Sequence, residues 1–373
     1  MHDSVSTQRQ AGDTINLALG HPSPELLPLE PVRKAAAHRL STGDRLILQY
    51  GLEPGDLGFR RLLGSFLGLQ PERLFVSAGI SGALDLICTS LTAPGDTVLV
   101  EDPTYFLARK IFGDHHLRVV GTLTGENGVA LEELERRIRH EKPRLLYLIP
   151  SFQNPTGVTL AREAREQVLR LCREHNVTVI ADEAYHLLGF DRPPPPSFAE
   201  LGFEDTVVTL GSFSKILGPG LRLGWVHAAP RLLEKLALSG LYDSGGGANP
   251  FAAAVVRSVL ELNLMSEHLN TLRSTLAARR TVLYDALTAR LGAGFEVRYP
   301  EGGYFVWARS TVPLDIEALT ERARRHGVLV MPGSRASVGG AAAGCLRLSF
   351  SYYDAEYLRE GVERIAAALT ELR

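Results

Sequence analysis

From Arg73 onward the chain alternates short, uninterrupted apolar runs with segments of helical length, and this rhythm limits its fold more than any other feature. The runs lie at Leu74–Ser77, Thr97–Glu101, Leu117–Val120, Leu145–Ile149, Thr178–Ala181, Thr206–Leu210 and Arg222–His227. Gly82–Leu91, Leu131–His140 and Ala161–Glu174 are among the helix-length segments between them. A strand apolar along its whole length needs cover on both faces, and a parallel sheet with crossover helices supplies it. The fold class expected is therefore α/β, with ligands bound beyond the C-terminal ends of the strands.

The flanking regions read differently. Helices are expected at Pro31–Leu40 and Leu57–Leu67, and a long helical pattern runs from Pro250 through Leu272 and Leu287. The remainder has strand candidates at Phe295–Tyr299, Tyr304–Trp307, Val328–Met331 and Cys345–Phe350, then a helix over Asp354–Leu372, which is an α+β pattern. A chain of 373 residues exceeds the reach of one hydrophobic core, so a second, smaller unit is expected.

Charge and cysteine usage narrow the function classes. A formal net charge of −2, with arginines dispersed among carboxylates, gives no electrostatic basis for binding nucleic acid or an anionic membrane. Cys88, Cys172 and Cys345 are odd in number and widely spaced in apolar surroundings, which argues against a disulfide framework or a zinc site. The first fifteen residues are polar and no apolar run reaches ~18 residues, so a cytoplasmic protein is expected.

The chemistry centres on Gly211–Trp225, GSFSKILGPGLRLGW. Its glycines let backbone N–H groups approach an anion, Ser212 and Ser214 add hydroxyl donors, and Arg222 offers a fork suited to phosphate. Of the chain's five lysines, Lys34, Lys110, Lys142, Lys215 and Lys235, only Lys215 sits between hydroxyls and glycines. A lysine partly desolvated beside another cation loses its proton near neutral pH and attacks an aldehyde. An aldehyde that carries a phosphate describes pyridoxal phosphate.

Other polar residues fall at expected strand ends. Asp182 closes the run Val177–Ala181, where a carboxylate needs a cation, such as a protonated pyridine nitrogen, or serves as a helix N-cap. Tyr185, one helical turn further, reaches the same ligand. Asn154 follows the Leu145–Ile149 run, as a donor to a phenolate oxygen or as a simple turn former with Pro155. Ser77–Gly82 joins strand to helix and is either a phosphate seat or a plain βα turn. Tyr105 is a stacking ring or a core aromatic.

Together these residues resemble the class I/II aminotransferases, the fold-type-I pyridoxal-phosphate enzymes, over nearly the whole chain. The resemblance makes Lys215 the Schiff-base lysine, Ser212 and Arg222 phosphate ligands, and Gly79, Ile80 and Ser81 the backbone phosphate loop. It puts Tyr105 on the pyridine ring, Asp182 on its nitrogen, and Asn154 and Tyr185 on its phenolic oxygen. Arg347 is implied to grip the substrate α-carboxylate, with Gly20 lining the substrate side of the pocket. Tyr50 is implied to reach the phosphate of a neighbouring subunit, hence a homodimer. The implied fold is a large domain with a mostly parallel seven-stranded sheet plus a smaller α+β domain. Its divisions are an N-terminal segment (1–46) joining the small domain, a large cofactor-binding domain (47–280) and a C-terminal small domain (281–373). The implied activity is ping-pong transfer of an amino group between an L-amino acid and a 2-oxo acid, with Lys215 as general base.

Competing readings are carried alongside. A lyase, racemase or cyclase would use the same Lys215. Gly79-Ile80-Ser81-Gly82 approaches a hydrolase elbow, for which His326 is an available base. A ligand-sensing regulator would need a DNA-binding segment longer and more basic than the N-terminal one here. The glycines at 245–247 mark either an enlarged pocket or, as favoured, a flexible loop. His21 is a substrate contact or a structural histidine.

Overall fold

The computed structural model describes residues 14–372, so the first thirteen positions of the expected N-terminal segment lie outside the described residues. The strands are β1 (Ile15–Asn16), β2 (Leu74–Ser77), β3 (Thr97–Asp102), β4 (Arg118–Gly125), β5 (Gly128–Val129), β6 (Leu145–Leu148), β7 (Thr178–Asp182), β8 (Val207–Ser212) and β9 (Gly224–His227). They continue with β10 (Phe295–Arg298), β11 (Phe305–Ser310), β12 (Val328–Leu329), β13 (Met331–Pro332) and β14 (Cys345–Ser349).

The large sheet has the order β2-β9-β8-β7-β6-β3-β4-β5. Its middle, from β8 across to β4, is parallel, while β9 runs antiparallel to both β8 and β2. All seven apolar runs are strands, and the two-residue β5 adds an eighth on the edge, antiparallel to β4. Alternate residues of the buried strands feed two different cores. Leu146, Leu148, Val179, Ala181 and Val207 pack on one face, while Leu145, Tyr147, Ile180, Val208 and Leu210 pack on the other. That division follows from the two-residue period of a strand.

Several boundaries move for local reasons. Arg222 has φ +46, which takes it out of the strand register, so β9 starts at Gly224. The helix Gly79–Leu91 begins at Gly79, whose φ of +75 turns the chain directly from β2 into the helix. The long pattern after Pro250 is two helices, Pro250–Glu261 and Leu264–Leu291, broken where Asn263 adopts φ +53. The second of these runs continuously past position 280.

A second sheet, antiparallel in the order β10-β11-β14-β13, follows the long helix. The Val328–Met331 run is divided, because β12 pairs with β1 in parallel while β13 pairs with β14. The N-terminal strand is thereby tied to the C-terminal part of the chain. Asp354 caps the last helix, Ala355–Thr370, by accepting from the N–H groups of Glu356 at 3.1 Å and Tyr357 at 3.2 Å. Among the described residues no helix is long and apolar enough to cross a membrane. The three cysteines are free and buried.

The glycines at 245–247 do not form a flexible loop. Gly245 ends the short helix Gly240–Gly245, and Gly246 (φ +64) caps it, its N–H bonding the Tyr242 carbonyl at 2.8 Å. A Cβ on Gly246 would run into the carbonyl of Gly51, and one on Gly247 (φ +91) into the carbonyl of Leu52. Two backbone segments approach too closely there for any side chain. The expectation of flexibility fails because the segment that demands the glycines lies two hundred positions earlier in the sequence.

Candidate active site

The C-terminal ends of the parallel strands converge on one cleft. The last residue of β7, Asp182, is buried and bears two hydrogen bonds. Tyr147 on β6 donates its hydroxyl to Oδ2 at 2.6 Å, and the Ala184 N–H donates to Oδ1 at 3.1 Å. Burial nevertheless dominates and pushes the carboxyl pKa up to about 6, with the Tyr147 and Ala184 bonds and the Lys215 charge pulling the other way. A carboxylate so placed gains from a cationic ligand.

Lys215 projects toward it from the turn after β8. Its ammonium donates to the Gly20 carbonyl and stands 5.6 Å from the Tyr304 ring centroid and 6.0 Å from that of Tyr185. Desolvation first, then repulsion by Arg347, lowers its pKa to about 8; Asp182 opposes this and Arg222 adds to it. Roughly a tenth of the amine is therefore neutral at pH 7. The Tyr304 hydroxyl donates to the Lys215 carbonyl at 2.8 Å and holds that turn against β11.

Arg347 enters from β14 and is buried. Its Nη1 donates to Asn154 Oδ1 at 2.9 Å, its Nη2 to the Ala18 carbonyl at 2.6 Å, and its guanidinium lies 4.1 Å from the Phe305 ring centroid. Its Nε is buried with no acceptor. Burial lowers its pKa to about 10, which leaves it cationic at neutral pH. A guanidinium whose neighbours are amide, carbonyl and ring, with no carboxylate among them, suits a carboxylate from outside.

The anion side lies at the start of the Gly79–Leu91 helix. The N–H groups of Gly79, Ile80 and Ser81 open its first turn and have no acceptor within the helix. Arg222, exposed and held in the left-handed region, donates to the Ala78 carbonyl at 3.3 Å, and a Cβ on Gly79 would sit 3.6 Å from its guanidinium nitrogens. The Ser212 hydroxyl donates to Ser214 Oγ at 2.9 Å and accepts from the Ser214 N–H at 3.0 Å. Ser212 is thus at the strand end but turned toward its own loop.

The sequence-predicted residues Lys215, Asp182, Tyr185, Asn154, Arg347 and Gly20 therefore share one cleft, with Gly79, Ile80, Ser81, Ser212 and Arg222 at its anion end. Tyr105 caps the helix Phe106–Asp114 beside them, its phenol pushed up to about 12 by burial first and the Asp182 charge second. The Tyr185 ring packs edge-on to Tyr304 at 5.4 Å. Tyr50 is not part of this cleft within one chain; it is 77% exposed. His21 packs edge-on to Tyr352 at 5.3 Å, and burial lowers its pKa. The hydrolase alternative fails on geometry, since Ser81 is exposed on the helix while His326 pairs at 2.9 Å with Glu371, just past the end of the last helix.

Sequence reasoning missed four contributors. Tyr147 is fully buried in the run LLYL, and a hydroxyl inside such a run was the available signal. Glu101, also buried, accepts from the Ile149 N–H at 2.8 Å; burial raises its pKa to about 8, so it is protonated at neutral pH. Tyr304 and Phe305 follow the pair Gly302-Gly303 and wall the lysine and the arginine.

Comparison with known proteins agrees with this geometry. Residues 12–365 match the family model described as aminotransferase class I and II. A 2-aminoadipate transaminase from Thermus thermophilus is 35% identical over 366 residues, covering 96% of this chain and 90% of that protein. An aromatic-amino-acid aminotransferase from Thermococcus litoralis is 29% identical, covering 97% and 89%. The crystal structure of a Pyrococcus horikoshii kynurenine aminotransferase superposes with a TM-score of 0.91 at 30% identity, over 97% of this chain and 92% of that one.

Proposed function

The chain belongs to the class I and II aminotransferases and moves amino groups, and from the cleft we infer that it does so on pyridoxal phosphate held at Lys215, between an L-amino acid and a 2-oxo acid. The observation that carries this reading is the convergence of an amine with a lowered pKa, a buried carboxyl and a carboxylate-free guanidinium in one cleft.

The residues fit the cofactor. Asp182 is buried beyond what the Lys215 charge offsets and would hold the proton on the pyridine nitrogen, a role that Tyr147 supports by fixing the carboxylate's rotation. Arg222, Ser212 and the N–H groups of Gly79, Ile80 and Ser81 would hold the phosphate, Tyr105 would cover the ring, and Asn154 and Tyr185 would hold its phenolic oxygen. Bound there, the cofactor supplies the carbonyl that takes up the amino group and a ring that withdraws electrons from Cα. Arg347 binds the substrate α-carboxylate and so fixes which Cα bond faces Lys215. Lys215 Nζ, uncharged in its working form, would act as the general base that takes up the substrate Cα proton. Gly20 closes the far wall, where a side chain would press on Phe305 at 3.3 Å.

The same reading includes a homodimer. Leu46, Leu48, Tyr50, Leu238 and Leu241 are each at least 74% exposed, and the segments that bear them meet where Gly51 packs on Gly246 and Pro250. Large apolar side chains so exposed favour a partner, and a second copy would bring its own Tyr50 toward this cleft. A protein that sediments as a monomer at micromolar concentration refutes that part. The division at 46 and 280 is retained, with Leu264–Leu291 as the helix shared by the two larger units. A reducing, cytoplasmic setting suits the three free thiols.

The test is the visible absorption of the purified protein with pyridoxal phosphate, recorded while amino acids are added one at a time. Loss of the visible band with stoichiometric release of the matching 2-oxo acid, absent in Lys215→Ala, is the expected result. A band indifferent to every amino acid, or equal turnover in Lys215→Ala, overturns the assignment.

A further inference from the structure

The turn Gly333–Ala336 follows β13, whose Met331 pairs with Arg347 on β14, and the C-terminal end of β3 holds the residues just after it. Asp102, the last residue of β3, accepts from Ser337 Oγ at 2.6 Å and from the N–H groups of Val338 at 3.0 Å and Gly339 at 2.7 Å. The Thr104 N–H donates to the Ala336 carbonyl at 2.9 Å, and Arg109 Nη1 to the Ser337 carbonyl at 2.6 Å. With the 3.4 Å bond from Arg109 Nη1 to the Arg335 carbonyl, six hydrogen bonds join the turn and the residues after it to the chain on either side of Tyr105.

The turn carries Arg335. Its guanidinium lies 4.5 Å from the ring centroid of Phe106, the residue after Tyr105, and is exposed. Among the described residues it has no carboxylate partner, whereas most surface arginines here are paired. It is close enough to Arg347 for its charge to disfavour the proton on that guanidinium. Placing two like charges near each other is unfavourable unless a ligand lies between them. The ring beneath Arg335 orients the fork in advance and leaves its edge N–H groups free.

We propose that Arg335 is a specificity-determining residue that binds a second carboxylate, on the substrate side chain, so that dicarboxylic amino acids and their 2-oxo acids are preferred over monocarboxylic ones. With Arg347 on the α-carboxylate, Arg335 is the second cation, four residues along from the partner of Arg347 in the sheet, and the Asp102 clamp holds the turn that carries it. Asp102 and Arg109 act as positioning residues for the turn. This proposal rests on the aminotransferase reading of the same cleft.

The experiment compares wild type, Arg335→Gln and Arg335→Lys as holoenzymes. Two readouts are taken: the ratio of kcat/KM for glutamate to that for leucine, and the dissociation constant of the unreactive diacid glutarate against that of butyrate, by intrinsic fluorescence. A charge-assisted hydrogen bond lost at the side-chain carboxylate lowers the glutamate-to-leucine ratio by roughly 10- to 100-fold and weakens glutarate by a similar factor, with butyrate nearly unchanged. Arg335→Lys, which keeps the charge without the fork, recovers part of both. A ratio and a glutarate affinity that Arg335→Gln leaves within twofold of wild type overturn the proposal while transamination itself continues. Absence of oxo-acid release from every donor in wild type instead overturns the aminotransferase reading, and the proposal with it.

Discussion

Asp182→Asn separates what the buried carboxyl does for the fold from what it does for the ligand. Without pyridoxal phosphate the Tyr147 and Ala184 bonds and the Lys215 charge only partly offset the carboxyl's desolvation, and its pKa moves from 3.8 to about 6. The native state then holds the proton more tightly than the unfolded chain does. Its contribution to stability is fully present below 3.8 and is lost as the pH rises through about 6. That difference amounts to roughly 3 kcal/mol. With an unfolding entropy of about 2.1 cal/mol/K per residue, it corresponds to a melting shift of roughly 4 °C for this chain. Asparagine is isosteric and does not titrate. The melting temperature of the cofactor-free variant, minus that of wild type, should therefore climb by about 3 °C between pH 4 and pH 7. Taking the difference cancels other titrating groups such as His21, and Glu101 stays protonated until about pH 8. With the cofactor bound the comparison reverses at pH 7, because the charge now has its partner and the variant binds pyridoxal phosphate more weakly. A difference that stays flat with pH in the cofactor-free proteins would refute the claim that Asp182 is buried without full compensation.

The pKa of about 8 at Lys215 predicts that the initial rate of pyridoxal phosphate uptake rises as the pH passes through about 8, since only the neutral amine reacts; stopped-flow absorbance checks this. Arg347→Gln removes the nearest repelling charge, so the midpoint moves up, while kcat/KM falls on the order of 100-fold through loss of the α-carboxylate contact, read in steady-state assays. Tyr147→Phe deletes the 2.6 Å bond to Asp182 and raises that carboxyl's midpoint further, so the pH transition in melting temperature moves to higher pH than in wild type. Gly247→Ala, at φ +91 against the Leu52 carbonyl, lowers stability by about 1–3 kcal/mol in thermal melts, whereas a flexible loop would gain about 0.4–1 kcal/mol from the same change.

The parallel sheet, and several residues that meet in the cleft, were legible from the sequence because they are written in local contrasts. An apolar run of four to six residues bounded by helix-length segments has few other uses, and all seven such runs are strands. Asp182 and Lys215 stood out for the same reason: a charge at the end of an apolar run, or among glycines and hydroxyls, is a mismatch visible without any neighbour. Tertiary structure alone decided the residues whose meaning depends on a distant segment. Tyr147 looks like core until β7 lays Asp182 beside its hydroxyl, and Glu101 looks like a surface strand end until the sheet buries it. Gly246 and Gly247 looked like slack, and are required by the backbone of Gly51 and Leu52. Arg335 is one arginine among many until Asp102 fixes its turn against Phe106. Local composition reports the cost of placing a group along the chain. Which partner offsets that cost depends on contacts between residues far apart in sequence, and those exist only once the chain has folded.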